Sequence, residues 1–484
     1  MKAHKPLNLL DATLIVSGSM IGSGIFIVTA DMSRTVGGPG WMLLLWVITG
    51  VMTIFAALSY GELAGLFPQA GGQYVYLKEA YNPLIGFLYG WSLFAVVQSG
   101  TIAAVAVAFA KYTGVLYEPL SEHNILLQYG NLKISAAQVL GIFSILVLTV
   151  VNARGINYGK IILRIFTSTK LLALFALIVL GVFICANADV RNLNMEHFWD
   201  FGSYSEGADG KISFESLTSF GLVAAMGVAL VGSLFSSDAW NNVTFIAGEI
   251  DNPKRSIPLS LFFGTVIVTV LYILANIAYL SLLPFFGDPQ AADAMGKGIM
   301  FAEKDRVATS AAMQIFGSPA TIIMALLIMV STFGCNNGIV LASVRVYQAM
   351  AKDGLFFKKM KDNNKFGVPG YALWIQFIWS SALCLSGKYG DLLDYVMFAV
   401  MLFYIFTVIG IFILRKKMPN AERPYKAFGY PVVPIIYILF AIAFCVNLLF
   451  MKPENTWPGL IIVLLGIPIY YCWKRTAPVV SQDQ

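Results

Sequence analysis

The stretch LIVSGSMIGSGIFIVTA, Leu14 to Ala30, has the apolarity of a membrane-spanning helix but carries glycine at positions 18, 22 and 24. Glycine inside a helix costs about 1 kcal/mol relative to alanine, so these three glycines weaken the helix at its centre. Two interpretations are open from this stretch alone. The glycines form a small-residue seam between packed helices, or they open the backbone, which is tolerated at that depth only where it lines a protein-enclosed cavity.

The composition predicts an all-α integral membrane protein. Hydrophobic residues make up 58% of the 484 residues and charged residues only 12%, about half the charged share of an ordinary soluble domain. One spanning helix needs about 20 apolar residues. The sequence predicts twelve transmembrane helices, numbered here as spans 1 to 12, near residues 9–33, 41–66, 84–113, 134–153, 161–186, 215–248, 257–284, 308–349, 369–387, 390–414, 431–451 and 456–473.

The cysteines and histidines argue against several kinds of site. All five cysteines fall in predicted spans, and the three histidines fall outside them. This distribution suggests neither a disulfide framework nor a Cys/His metal site, and it supplies no nucleophile or metal set for an intramembrane enzyme. We therefore expect no enzymatic activity, no metal and no cofactor.

A second irregular centre lies in span 6, where VGSLFSSDAWNN runs from Val231 to Asn242. An aspartate at mid-span costs roughly 3 kcal/mol on insertion scales, so Asp238 must face the protein interior. Spans 1 and 6 are five spans apart. A unit of five spans crosses the membrane an odd number of times, so a second copy starts on the opposite side and has the inverted orientation. Corresponding broken helices in two inverted halves are a strong sequence pointer to a transporter's midplane binding site. The second interpretation of the Leu14 stretch is therefore favoured.

The basic residues predict the orientation. About two thirds of the Lys and Arg lie in connecting segments on one side, which the positive-inside rule makes cytoplasmic. Both termini are then cytoplasmic, in a multi-pass protein of the cell membrane. The predicted layout is a cytoplasmic N-terminus (1–8), a first five-helix repeat (9–186), an extracytoplasmic loop (187–214), a second five-helix repeat (215–418), a cytoplasmic loop (419–430), helices 11 and 12 (431–473) and a cytoplasmic tail (474–484).

Other polar residues also lie within or beside the spans. Lys170 in span 5 either snorkels to the inner interface or is a functional charge facing the cavity, and the second role is favoured. Asn336 and Asn337 in span 8 either join helices or line the cavity. The segment PQAGGQYVYLKEAY, residues 68–81, reads as an interfacial loop with its tyrosines at the membrane surface, and a reentrant gating segment is the alternative.

Five segments in order resemble the amino acid–polyamine–organocation (APC) superfamily, and within it bacterial-type members of the L-type amino acid transporter (LAT) family. They are GSMIGSGIF (18–26), PQAGGQYVYLKEAY (68–81), FSSDAWNNVTFIAGEIDNPKRSIP (235–258), STFGCNNG (331–338) and RPYKAFGYPVVP (423–434). The resemblance implies a LeuT-type fold of two inverted five-helix repeats with discontinuous helices 1 and 6, plus two extra C-terminal helices. It also implies alternating access for a free amino acid.

The resemblance also implies a substrate site at the two breaks. The N–H groups of Ser23, Gly24 and Ile25 would hold the substrate carboxylate, and the α-ammonium would meet the carbonyls of Met20, Phe235 and Asp238. Phe235 matches an aromatic outer gate, while Trp240 and Asn241 match residues beside the side-chain pocket. The substrate-binding set is therefore Met20, Ile21, Gly22, Ser23, Gly24, Ile25, Phe235, Ser236, Asp238, Trp240 and Asn241, with Asn336 and Asn337 as further candidate cavity residues.

Lys170 matches a span-5 lysine that stands in for the sodium ion of sodium-coupled relatives. The chain departs from animal members in two ways. Residues 114–133 contain no cysteine for a disulfide-linked glycoprotein partner, so none is expected. Asp238 stands where those members carry a small residue, and it could favour a cationic substrate, accept a proton or cap a half-helix.

We therefore expect a sodium-independent carrier of L-amino acids, mainly neutral ones, working by exchange and without a nucleic-acid partner. A proton-coupled symporter of the same fold is the nearer alternative, with Lys170, Asp238 or Glu62 titrating. A channel is a less favoured alternative, because a channel requires a continuous polar pore or a carbonyl filter, and two glycine breaks with an aromatic gate do not supply one.

Overall fold

The computed structural model describes residues 6–129, 132–206, 212–385 and 389–476. Within this part of the chain, ten helices are long and apolar enough to cross a bilayer, and a bent pair at the position of span 1 makes an eleventh if counted as one span. The helix at the position of span 9 is apolar but shorter, at 16 residues. The prediction of an all-α membrane protein is confirmed.

Helices occupy all twelve predicted positions, and the span numbers are kept for them. Their bounds are Leu9–Met20 with Gly24–Val36 (span 1), Pro39–Leu66 (2), Pro83–Ser92 and Gln98–Leu116 joined by the π-helical turn Leu93–Val97 (3), Ala136–Ala153 (4), Ile156–Val179 with the π-helical turn Leu180–Ile184 (5), Ser219–Ser236 with Asn242–Phe245 (6), Pro253–Leu282 (7), Ala320–Lys352 (8), Gly370–Leu385 (9), Tyr389–Lys417 (10), Val432–Met451 (11) and Pro453–Thr476 (12).

Shorter elements lie in the connections. They are the helices Gln73–Ala80, Ala188–Glu196, Ala294–Lys297 and Val307–Phe316, the 3-10 turns Glu118–Leu120, Ala247–Glu249, Glu303–Asp305 and Lys358–Lys361, and two antiparallel hairpins, Ile125–Tyr129 with Leu132–Ser135 and Ser203–Glu206 with Ile212–Glu215. The register of the first hairpin pairs Leu127 with Ile134. The extracytoplasmic loop predicted at 187–214 therefore contains the helix Ala188–Glu196 and the strand Ser203–Glu206.

The apolar run predicted as span 8, residues 308–349, proves to be two helices. The helix Val307–Phe316 ends at Gly317, which has a φ of 65°, a left-handed conformation that glycine adopts without a steric penalty. Pro319 follows at the N-cap of span 8. A glycine with positive φ and a following proline separate the two helices, although both are apolar.

The packing places the two broken spans in the interior. Span 1 contacts spans 5, 7 and 8, and span 7 packs along span 2. Span 1 starts with a capping box, in which the side chains of Asn8 and Asp11 each accept the other residue's backbone N–H, satisfying donors that a helix start leaves free. Span 12 has the smallest buried share of the ten unbroken candidate spans in the described part of the chain, in keeping with a peripheral position.

Candidate functional site

Span 1 is broken at the predicted glycines. Its first helix ends at Met20, Ile21 is extended with ψ of 94°, and a second helix starts at Gly24 after a bend of 41°. The N–H groups of residues 22 to 25 have no hydrogen-bond acceptor in the described part of the chain. Such free N–H groups at a helix start, together with the positive end of the helix dipole, favour an anion.

Lys170 lies against the opposite, carbonyl side of the break. Its Nζ atom donates hydrogen bonds to the carbonyl oxygens of Gly18 at 2.6 Å and Ile21 at 2.5 Å, and it lies 3.4 Å from that of Ser331. The side chain is only 2% exposed. Lys170 therefore reaches into the protein interior and does not snorkel to the membrane surface.

Span 8 also binds the opened backbone. The Ser331 hydroxyl lies 3.1 Å from the Ile21 carbonyl and 2.8 Å from the Gly22 carbonyl, and Cys335 Sγ lies 3.0 Å from the Ser19 carbonyl. The carbonyls of Ile21 and Gly22 thus face spans 5 and 8, whereas the N–H groups of residues 22 to 25 remain unpaired in the described part of the chain.

Span 6 is broken directly beside span 1. Its long helix ends at Ser236, Ala239 has a φ of 63°, and a short helix begins at Asn242. The Tyr272 hydroxyl of span 7 lies 3.2 Å from the Met20 carbonyl and 3.0 Å from the Ser236 carbonyl. One side chain therefore links the ends of both interrupted helices.

Gly24 and Ser236 pack against each other across the two breaks. A Cβ atom on Gly24 would overlap the Ser236 hydroxyl and lie 2.8 Å from its Cβ and 3.2 Å from its Cα. Only glycine fits at this close approach. The two interpretations of the Leu14 stretch, a small-residue seam and an opened backbone, thus both apply at Gly24.

Asp238 is half-buried beside an aromatic cluster. The Tyr404 hydroxyl donates to its Oδ1 at 2.6 Å, and Trp240 packs between Tyr60 and Tyr404 with ring centroids 4.8 and 5.3 Å away. Of the roles left open for Asp238, capping the short helix after the break is not what its contacts show, since that helix start has no side-chain cap bond.

A cavity of about 20 Å³ lies beside Asp238, enough for about one water molecule. Its polar lining consists mainly of Gln73, Gln98, Asp238, Asn241 and Tyr404. Asn241 donates to the Gln73 side chain at 2.9 Å, and Gln73 donates to Thr407 at 3.0 Å. The cavity therefore joins the span 6 break to span 10 and to the segment 68–81.

The segment 68–81 is not the interfacial loop that the sequence favoured. It forms the helix Gln73–Ala80, and Tyr74 and Tyr76 are buried instead of lying at the membrane surface. The Gly71 N–H donates to the Phe245 carbonyl at 3.0 Å. Gly72, with a φ of 45°, lies against Thr244, where a Cβ would not fit. These two glycines let the segment pack closely against the short helix Asn242–Phe245 of span 6.

Three other predicted residues have different surroundings. Phe235 is half-buried. Asn336 donates to the Ile102 carbonyl at 3.2 Å. Asn337 donates to the Gly159 carbonyl and accepts from Asn152, both at 2.9 Å. The two asparagines thus join span 8 to spans 3, 4 and 5, and neither lines the cavity beside Asp238.

The side of the site predicted to be cytoplasmic is closed. The Leu7 N–H donates to the Glu249 carbonyl at 2.9 Å, and the Asp251 N–H donates to the Leu7 carbonyl at 2.8 Å. Arg345 of span 8 pairs with the Glu249 carboxylate at 2.5 Å. Opening a path on this side requires these contacts to break.

Sequence reasoning missed several residues that shape the site. They are Gln73, Tyr272, Ser331 and Tyr404, whose contacts are given above. The available signal was a hydroxyl or amide at the middle of an apolar segment, where it must find a partner inside the protein. Among the described residues, no group of three or more His, Cys, Asp or Glu side chains is placed to hold a metal ion.

Comparison with known proteins identifies the group to which this architecture belongs. Residues 7–470 match the family model described as amino acid permease. The chain belongs to the amino acid permease family. This permease is 31% identical to the human large neutral amino acids transporter small subunit 2 over 473 residues, which cover 96% of this chain and 80% of that protein.

Two further relatives also match this chain over almost its whole length. The permease is 27% identical to the serine/threonine exchanger SteT of Bacillus subtilis (strain 168), over 97% of each chain. It is also 27% identical to the mouse b(0,+)-type amino acid transporter 1, over 97% of this chain and 87% of that protein. The resemblance to the APC superfamily and its LAT family is confirmed.

Proposed function

We propose that this permease is a sodium-independent exchanger of neutral L-amino acids that works by alternating access. The protein is an amino acid transporter, as its family and its relatives of both animal and bacterial origin support. The single observation that carries the mechanism is the hydrogen bonding of Lys170 Nζ to the carbonyls of Gly18 and Ile21 at the broken span 1.

Sodium independence follows from the charge at that position. Carbonyl oxygens freed by a helix break can coordinate a cation, and here the ammonium of Lys170 already lies on two of them. Ser331 supplies a further donor to the Ile21 and Gly22 carbonyls. A sodium ion at these carbonyls would be repelled by the Lys170 ammonium. Since that ammonium already binds the opened backbone of span 1, the break needs no sodium ion to keep its shape.

Recognition of the amino acid backbone is proposed to use the complementary polarity of the two breaks. The N–H groups of residues 22 to 25 lack protein acceptors in the described part of the chain and would bind the carboxylate at a helix N-terminus. The carbonyls of Met20, Phe235 and Asp238 would accept from the α-ammonium. Since Tyr272 occupies only one lone pair of the Met20 carbonyl, that oxygen can accept a second bond.

We propose that the substrate has a neutral side chain, because the charged group near the site, the Asp238 carboxylate, already accepts a hydrogen bond from the protein. The Asp238 carboxylate is hydrogen-bonded by Tyr404, and the adjoining amides of Gln73 and Asn241 bond to each other. The cavity beside them holds about 20 Å³, so an amino acid enters only when the surrounding helices separate. This requirement fits alternating access.

The remaining features of the proposal concern location and partners. We place the transporter in the cell membrane with both termini cytoplasmic, and we propose that free amino acids are its substrates. The absence of a cysteine in residues 114–133 argues against a disulfide-linked partner subunit. No enzymatic step, cofactor or nucleic-acid partner belongs to this mechanism.

The test is uptake of labelled leucine, alanine or serine into sodium-free proteoliposomes that are preloaded with unlabelled amino acids, with empty vesicles alongside. We expect uptake only into loaded vesicles and no change when sodium replaces potassium. Competition by unlabelled amino acids then defines the preferred side chains.

A proton-coupled symporter is the second candidate, because the half-buried Asp238 lies at the span 6 break and the buried Lys170 contacts the span 1 break. Uptake into empty vesicles that rises with an inward proton gradient would establish it and contradict exchange. Sodium-driven uptake would contradict both. A unitary current in single-channel recordings would instead revive a channel mechanism.

A further inference from the structure

A cavity of about 1020 Å³ lies away from the substrate site, between span 2, the start of span 7 and the loop 419–430. Its lining is apolar over most of its length and includes Leu58, Pro258, Leu259, Phe262 and Phe428. Lys254, Arg255 and Glu422 lie at one end. We propose that this cavity binds one anionic phospholipid of the cytoplasmic leaflet, with its phosphate at Lys254 and Arg255 and an acyl chain along Leu259 and Phe262.

The charged end is complementary to a phosphate group. Lys254 and Arg255 are both exposed. Lys254 lies 3.5 Å from Glu422, whose side chain is 83% exposed, and such a surface pair is worth little. The Arg255 guanidinium forms no ion pair with any residue in the described part of the chain. Two cations beside one carboxylate leave a net positive charge, and basic pockets beside membrane helices on the cytoplasmic side recruit anionic lipid headgroups.

The apolar part continues from that charged end along the helix. Phe262 lies seven positions after Arg255, which corresponds to about 10 Å of helix. Phe262 is 38% exposed and Phe428 is 69% exposed, so apolar surface faces the open side of the cavity. A lipid has this same order of parts, with a phosphate followed by hydrocarbon.

The loop that forms one wall is held firmly in place. The Arg415 guanidinium donates to both oxygens of the buried Glu62 carboxylate, at 2.9 and 2.6 Å, and the Ala427 N–H donates to it at 2.7 Å. The Tyr425 ring packs on Gly61, where a Cβ would come within 2.8 Å of it. The cavity is thus bounded by fixed elements on both sides and is not a gap beside a loose loop.

The test measures lipid retained by the purified full-length protein in detergent, using native mass spectrometry. Phosphatidylglycerol and phosphatidylethanolamine with identical acyl chains are added at equal concentrations. We expect the wild-type protein to retain phosphatidylglycerol preferentially. The double variant Lys254→Ala with Arg255→Ala should retain it about tenfold less, since each cation near a bilayer surface adds to anionic lipid binding.

Two variants complete the design. Lys358→Ala with Lys365→Ala removes the same charge from exposed positions that do not line this cavity, and retention should not change. Leu259→Trp fills the apolar part and should reduce the retention of both lipids. Equal retention of the two lipids by the wild-type protein, or unchanged phosphatidylglycerol retention in the Lys254 and Arg255 variant, would overturn the proposal. Because binding is measured directly, the result does not depend on transport.

Discussion

The Nζ atom of Lys170 in span 5 lies 2.5 Å from the carbonyl oxygen of Ile21 in span 1. The two residues are 149 positions apart in sequence, and a single side chain crosses between the helices to stabilise backbone that span 1 leaves open. A hydrogen bond involving a charged group is worth about 1.5–3 kcal/mol when buried. Removing this donor therefore changes the shape of the substrate site as well as its charge.

Lys170→Ala should abolish exchange, or slow it by at least tenfold, while leaving expression intact. The buried carbonyls of Gly18 and Ile21 lose their charged donor, which corresponds to about 1.5–3 kcal/mol. The measurement is counterflow in loaded proteoliposomes. Ser331→Ala is the matched control, because it removes a neutral donor to the same carbonyl, and it should have the smaller effect. Unaltered kinetics in the lysine variant would contradict the proposed role.

Gly24→Val should eliminate transport, and the structure supplies a physical reason. The new side chain overlaps Ser236, and overpacking of this kind costs about 1–3 kcal/mol. In the milder Gly24→Ala variant we expect lower substrate affinity, measured by ligand-induced thermal stabilisation.

Adding Ser236→Gly to Gly24→Ala should restore part of that affinity, because it removes the overlapping hydroxyl and Cβ. No recovery in the double variant would mean that the added methyl group acts on the substrate carboxylate and not on Ser236.

Tyr272→Phe should slow exchange by about threefold to tenfold, which matches the loss of a hydrogen bond worth about 0.5–1.5 kcal/mol. The hydroxyl links the carbonyls of Met20 and Ser236, while the ring keeps its packing on Trp46. Tyr81→Phe is the control, since its hydroxyl bonds to Phe406 away from both breaks. Equal losses in the two variants would indicate a general packing effect.

Asp238→Asn should preserve exchange of neutral amino acids to within about threefold, because the amide oxygen can still accept from Tyr404. Inhibition by cationic amino acids should weaken, since the carboxylate is removed. Competition assays with lysine and leucine measure both effects. Loss of a proton-driven component in this variant would instead support symport.

Glu62→Gln should lower the free energy of unfolding by about 3–5 kcal/mol, the cost of breaking a buried ion pair. The Glu62 side chain is 2% exposed and pairs with Arg415 and Arg423. Thermal unfolding in detergent is the measurement. Glu422→Gln is the control, because that carboxylate is exposed and its loss should change stability little. Unchanged stability of the Glu62 variant would show that the ion pairs of Glu62 with Arg415 and Arg423 do not anchor the loop 419–430.

The sequence alone determined the membrane class, the positions of most membrane helices and the two breaks. Apolar runs of membrane length are stable only inside a bilayer or a protein core. Glycines together with an ionisable aspartate at mid-span mark backbone that hydrocarbon cannot satisfy. The cost of a charge within the membrane favours a functional Lys170 that faces the cavity, and five motifs in order indicate the family. These features are local in the chain, so composition and spacing suffice to identify them.

Only the tertiary structure decided which partners satisfy the opened backbone. Tyr272 and Ser331 reach the breaks from helices far away in sequence, and no local pattern specifies such contacts. It also divided the predicted span 8 at Gly317 and buried Tyr74 and Tyr76. Hydrophobicity determines that a segment is buried. Which face of a helix is buried, and against which neighbouring helix, depends on how closely the two backbones approach, as the contact of Gly24 with Ser236 illustrates.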